Sequence, residues 1–155
     1  RLQVEHPVTE AVTGLDLVAE QLRIASGEAP SFDPASPPTA RGHAIELRVY
    51  AEDPKRFLPG PGEITEWVQP TGDGVRVDAG YEADNKVTPF YDPLLAKLIV
   101  HGADRADALA KARHAVENFT VVGPKNNLPF FTELLDNDEF VRGDYDTGLI
   151  SRMRD

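Results

Sequence analysis

Between Gly42 and Val100 strand-like segments follow one another, separated by Pro and Gly turns rather than by helical patterns. In His43–Ala51 the set His43, Ile45, Leu47, Val49 alternates with Ala44, Glu46, Arg48, Tyr50. That period of two puts successive side chains on opposite faces of a strand. Pro54 closes the segment, Pro59-Gly60-Pro61-Gly62 forms a tight loop, and Ile64–Val68 reads as the next strand. Thr71-Gly72-Asp73-Gly74 is a turn before a strand over Val75–Ala79, and Leu94–Val100 is apolar enough to be a buried strand. Helical patterns lie outside this run. Thr13 followed by Asp16 looks like a cap, after which Leu15, Val18, Leu22 and Ala25 fall on one stripe that stops at Gly27. Asp104 caps a helix with the stripe Leu109, Ala112, Val116, Phe119. Thr120–Val122 reads as a short strand, and Asn126 caps a last helix around Leu128–Leu135. Strands in a run with helices at the two ends predict an α+β fold, an antiparallel sheet with flanking helices, rather than a doubly wound one.

Ala29–Ala40 holds Pro30, Pro34, Pro37 and Pro38 and is the clearest linker, so the chain divides into residues 1–40 and 41–155. Arg1 to Val8 alternate weakly, contain Pro7, and read as the end of a strand running into a loop. Residue 1 is Arg, and these first residues read as mid-domain, so the chain is expected to be a piece of a longer protein. Its 155 residues suffice for a real core. Lys plus Arg number 16 against 26 Asp plus Glu, a net charge of −10 that argues against nucleic acid or an anionic membrane surface as the main partner. The absence of cysteine excludes disulfides, thiolate metal sites and a thiol nucleophile, and suits a cytoplasmic protein. No apolar stretch is long enough for a transmembrane helix, and no signal peptide opens the chain. His6, His43, His101 and His114 are too dispersed to predict a metal site.

Arg1-Leu2-Gln3-Val4-Glu5-His6-Pro7 carries the most chemistry. If extended, it puts Arg1, Gln3 and Glu5 on one face. A guanidinium fork matches a planar oxyanion, and a neighbouring carboxylate can take a proton from it; bicarbonate is such an anion. The same pattern also describes a solvated face with an Arg–Glu pair, worth roughly 0–1 kcal/mol. Glu46 and Arg48 share a strand face, where the arginine can meet a developing enolate or phosphoryl charge, or simply form a cross-strand ion pair. Asp92, in Tyr91-Asp92-Pro93, can orient a cationic side chain or form an Asp-Pro turn.

Ordered blocks over nearly the whole chain resemble the C-terminal part of the biotin carboxylases. They are Arg1 to Glu10, Glu20-Gln21-Leu22-Arg23-Ile24-Ala25, Gly42-His43-Ala44-Ile45-Glu46-Leu47-Arg48, Ala51-Glu52-Asp53-Pro54, Phe57-Leu58-Pro59, Tyr91 to Leu98, and Gly123-Pro124-Lys125-Asn126-Asn127. The resemblance implies that residues 1–40 are the tail of an ATP-grasp domain with a helix and the Pro-rich linker, and that 41–155 are the biotin carboxylase C-terminal domain. It implies that Arg1 holds bicarbonate with Gln3 and the backbone N–H of Val4, and that Glu5 is the general base. Carbonate would then attack the ATP γ-phosphate to give carboxyphosphate, which breaks to CO2 and phosphate. Arg48 would bind biotin and stabilise its enolate oxygen, with Glu46 and Asp92 in support.

The resemblance further implies ATP and Mg2+ as cofactors held mostly upstream of Arg1, and biotin as the carrier-bound substrate. The implied partners are a biotin carboxyl carrier domain or protein, a carboxyltransferase subunit, and a second copy in a homodimer. Thr71–Arg76 resembles the loop near subunit contacts, with Asp73 where some relatives carry an aromatic residue. The implied reaction is the first half of acyl-CoA carboxylation, as in acetyl- or propionyl-CoA carboxylases of fatty-acid metabolism. The chain alone is expected to be inactive, with Arg1–Glu5 poorly held. Two rivals stand beside this reading: an ATP-grasp ligase with a different acceptor, and a non-catalytic module that pairs subunits.

Overall fold

A computed structural model describes residues 1–154; Asp155, where the second expected domain ends, lies outside the described residues. Arg1 to Val8, expected to be a strand end running into a loop, form no strand: residues 1–5 lead into a helix, α1 (His6–Thr13), which starts after Glu5 with Pro7 in its first turn. Proline is tolerated there because its missing N–H has no intrahelical partner to lose. Gly14 closes α1 in the left-handed conformation, and Asp16 then caps α2 (Leu17–Ala25) by accepting the Ala19 N–H at 2.9 Å. Thr13 therefore ends one helix rather than starting the next. The stripe assigned to α2 is not a core stripe within this chain, since Val18 and Leu22 are exposed. Residues 26–42 hold no helix or strand, as the prolines require.

The strands are β1 (His43–Tyr50), β2 (Gly62–Glu63), β3 (Glu66–Val68), β4 (Val75–Ala79), β5 (Lys86–Val87), β6 (Leu94–Gly102) and β7 (Thr120–Val122). The expected strand over Ile64–Val68 is split, with Ile64 fully buried between β2 and β3, and β5 had no counterpart in the sequence reading. The helices α3 (Arg105–Glu117), α4 (Leu128–Asp136), α5 (Asp138–Arg142) and α6 (Leu149–Arg152) complete the chain, so the helix expected to be last is followed by two short ones. The central sheet is antiparallel, in the order β1-β6-β4, and β2-β5 and β3-β7 form two small antiparallel pairs. Gly123 (φ +125°) lets β7 pass Glu63, whose carbonyl oxygen a Cβ would strike.

The two faces of the sheet differ in kind. Ile45, Leu47, Val49, Leu98 and Val100 point to one side and join Ala108, Leu109, Ala112 and Val116 of α3 and Phe131 of α4 in the core. Asp104 caps α3 as the sequence predicts, accepting the Asp107 N–H at 2.9 Å. On the opposite face the register aligns Arg48, Lys97 and Asp78 in one row and Glu46, Ile99 and Arg76 in the next. The leading segment and α1 lie over this polar face, packed on β1 and β6. The fold is thus the expected α+β arrangement, with Glu46 and Arg48 on the sheet face away from the core.

Candidate active site

Glu5 immediately precedes α1, and Arg48 stands near the end of β1. The structure brings them together: Arg48 Nη2 donates to Glu5 Oε2 at 3.0 Å. Glu5 therefore pairs with Arg48 rather than with Arg1, which is exposed and forms no ion pair among the described residues. Arg1, Gln3 and Glu5 do not share a strand face, because residues 1–5 turn into a helix. The Gln3 backbone carbonyl accepts from the His6 N–H at 3.2 Å and lies 2.9 Å from His6 Nδ1, while its side chain is exposed. Val4 is exposed, and its carbonyl accepts a hydrogen bond from Lys97 Nζ at 3.1 Å. The first residues, expected to be poorly held, are thus tied to the sheet at Val4 and Glu5.

Glu46 lies behind Arg48. Its side chain is 4% exposed, and its Oε1 is 3.6 Å from Arg48 Nε, close enough for ionic attraction but too long for a hydrogen bond. Neither carboxylate oxygen has a hydrogen-bond partner among the described residues. Burial raises the Glu46 pKa above the ordinary carboxylate range, against the smaller attraction of Lys97, Arg48 and His6. Asp92, expected to orient a cation, instead accepts the Leu94 N–H at 2.8 Å and shapes its own turn; it has no ion pair among the described residues. Its charge adds to the burial that raises the Glu52 pKa.

Arg76 was expected near a subunit contact. Its guanidinium is engaged internally, with Glu10 and Asp78 both at 2.7 Å, and these pairs raise its pKa. Asp73, 97% exposed, pairs with Lys111 at 3.1 Å. One cleft, of about 640 Å³, is lined by His6, Glu10, Gly14, Arg76 and Ile99 and contains none of Arg1, Gln3, Glu5 or Arg48. Arg48 lines a separate cleft of about 580 Å³ with Glu46, Tyr50, Asn127 and Phe130.

Two residues that sequence reasoning missed hold this site. Lys97 is the lone charge inside an apolar strand, a signal visible in the sequence that gives no hint of its partner. Asn127 is 4% exposed; its Oδ1 accepts from Tyr50 N–H and its Nδ2 donates to Arg48 O, both at 2.9 Å. It straps the outer edge of β1 where Arg48 sits. Among the described residues, no three His, Asp or Glu side chains come together as metal ligands.

Comparison with known proteins places these features in a family context. Residues 46–152 match the family profile "Biotin carboxylase C-terminal domain", and residues 1–31 match "Carbamoyl-phosphate synthase L chain, ATP binding domain". The chain is 47% identical over 152 residues to biotin carboxylase 2 of Bacillus subtilis (strain 168), covering 98% of this chain and 34% of that protein. It is 43% identical over 154 residues to the mitochondrial propionyl-CoA carboxylase alpha chain of Mus musculus, covering 97% and 21%. The biotin carboxylase domain dimer of Hydrogenobacter thermophilus 2-oxoglutarate carboxylase, solved with MgADP, ADP and bicarbonate, superimposes with a TM-score of 0.94 at 37% identity, covering 98% and 34%. The chain spans about a third of the length of the first of these relatives.

Proposed function

The chain belongs to the biotin carboxylase C-terminal domain family, and from this we propose that it forms the bicarbonate and biotin end of an ATP-dependent biotin carboxylase. The observation that carries the reading is the meeting of Glu5 and Arg48 at 3.0 Å from distant parts of the chain. Glu5 is the general base: a half-exposed carboxylate at the edge of the polar face, free on its solvent side to take the proton of bicarbonate. Arg1, Gln3 and the Val4 N–H hold that anion. Arg48 faces the negative charge that develops on the ureido oxygen of biotin, with Glu46 behind its guanidinium. Asp92 acts only by shaping the turn before β6.

ATP supplies the phosphoryl group that activates bicarbonate. This chain's residues do not fit a Mg2+ site, since no cluster of ligands occurs among the described residues, and we assign no step through the metal. Residues 1–40 would close an ATP-grasp domain and 41–155 form the C-terminal domain, with nucleotide and metal held by residues outside this chain. The chain alone is then inactive. The carboxyl group passes to a biotin carboxyl carrier and, through a carboxyltransferase, to an acyl-CoA. The identity to a propionyl-CoA carboxylase chain supports that acceptor. A homodimer fits the dimeric relative. The cysteine-free composition supports a cytoplasmic setting. No helix among the described residues is long and apolar enough to cross a membrane.

The test is ADP release by the full-length protein, with bicarbonate and free biotin varied independently. The expected rate requires bicarbonate and rises with biotin, and Glu5→Gln lowers it about 10²–10⁴-fold. A normal rate in Glu5→Gln removes Glu5 as the base. A wild-type rate indifferent to biotin moves the acceptor elsewhere, toward another ATP-grasp ligase chemistry.

A further inference from the structure

Lys97 occupies the middle of β6, with Arg48 across on β1 and Asp78 across on β4. Its side chain is 14% exposed beneath the leading segment, so its ammonium needs acceptors close by. Asp78 Oδ2 lies 4.0 Å away, an ionic neighbour beyond hydrogen-bond length. Its one hydrogen bond among the described residues goes to the Val4 carbonyl, at 3.1 Å. That carbonyl and the N–H of Glu5 belong to one planar peptide unit, so fixing the oxygen fixes the plane from which the Glu5 side chain departs. The Glu5 carboxylate then reaches Arg48, Lys97's neighbour across the strands. An apolar side chain of the same length would fill the space but leave this peptide free to rotate.

We propose that Lys97 is a positioning residue that locks the Val4–Glu5 peptide, setting the base Glu5 in register with Arg48. This rests on the proposed function above. It adds a residue that touches neither bicarbonate nor biotin and acts through the turn that does.

The test uses the full-length protein, with ADP release measured against bicarbonate and, separately, against ATP. Lys97→Met is expected to raise KM for bicarbonate about tenfold, the scale of one charge-assisted hydrogen bond. KM for ATP should stay within about twofold, because the lost bond constrains only the bicarbonate turn. Lys97→Gln, which keeps a polar tip but falls short of the Val4 carbonyl, provides a second variant should the methionine fail to fold, and should raise the same KM. A folded variant with the wild-type KM for bicarbonate overturns the role of Lys97. So does a lower kcat at unchanged bicarbonate KM that matches a loss of folded fraction measured by circular dichroism. A wild-type protein without bicarbonate-dependent ADP release overturns the underlying functional reading, and this proposal with it.

Discussion

Asn127 offers the sharpest test of how the fold presents Arg48. β1 is an outer strand of its sheet, so one row of its backbone groups faces away from β6. Asn127 meets that row three times: its own N–H donates to Tyr50 O at 3.2 Å, its Oδ1 accepts from Tyr50 N–H, and its Nδ2 donates to Arg48 O. Asn127→Ala keeps the first bond and deletes the other two, leaving a donor and an acceptor in a part-buried place. A typical bond contributes about 0.5–1.5 kcal/mol net, and an unsatisfied buried group costs about 1–3 kcal/mol. Some water reaches this edge, so the expected loss is about 2–4 kcal/mol, which lowers the urea midpoint about 1–2 M at a slope near 2 kcal/mol/M.

Equilibrium unfolding of the chain in urea reads this directly, through the fluorescence of Trp67, the only tryptophan, whose ring packs edge-on against Phe119 at 5.2 Å. Asn127→Asp sharpens the test. It keeps an acceptor for Tyr50 N–H but sets an oxygen against Arg48 O and a charge beside Glu52, 3.4 Å from the present amide nitrogen. That variant should be destabilised at neutral pH and recover on acidification. A midpoint for Asn127→Ala within about 0.3 M of wild type would mean that water replaces the amide and that the strap does not hold β1.

Two further substitutions probe the polar face. Arg48→Lys cannot span Glu5 and Glu46 with one point charge, so biotin-stimulated ADP release by the full-length protein should fall about 10–100-fold. A stimulated rate near wild type would remove Arg48 from the biotin step. Glu46 has a folded-state pKa raised by burial, so wild type loses stability as pH rises through the folded value, and none of that loss occurs below the unfolded one. Glu46→Gln carries no charge to desolvate, and its stability relative to wild type should therefore improve between pH 4.5 and 7.5 in paired urea titrations. An unchanged difference across that range would mean that Arg48 and Lys97 offset the burial in full.

The elements legible in the sequence are those set by local periodicity. β1, β4 and α3 follow from alternation, a Gly turn and an Asp cap, each acting within a few residues. α1 was misread because Pro7 breaks strands and helix interiors alike, and only its position in the first turn makes it compatible with a helix. The exposed Val18 and Leu22 show a stripe that is correct as helical periodicity but unburied within this chain. The site was legible as a set of residue types and not as an arrangement. Glu5 and Arg48 are 43 positions apart, Lys97 and Val4 are 93 apart, and Asn127 and Arg48 are 79 apart. No period connects such pairs; the sheet register does.

That register ties stability to function through β1. Ile45, Leu47 and Val49 fill the core on one face, and Glu46 and Arg48 stand on the other. A slip of one residue would swap the faces, burying the Arg48 guanidinium among α3 and α4 and turning the aliphatic row toward α1. The transfer of those aliphatic side chains to the polar face opposes this at about 1.5–3 kcal/mol each. The core thus enforces the register that places Arg48 opposite Lys97, and Lys97 carries that register to Val4. Substitutions that loosen the aliphatic row should therefore disturb the distance between Glu5 and Arg48 before they unfold the domain.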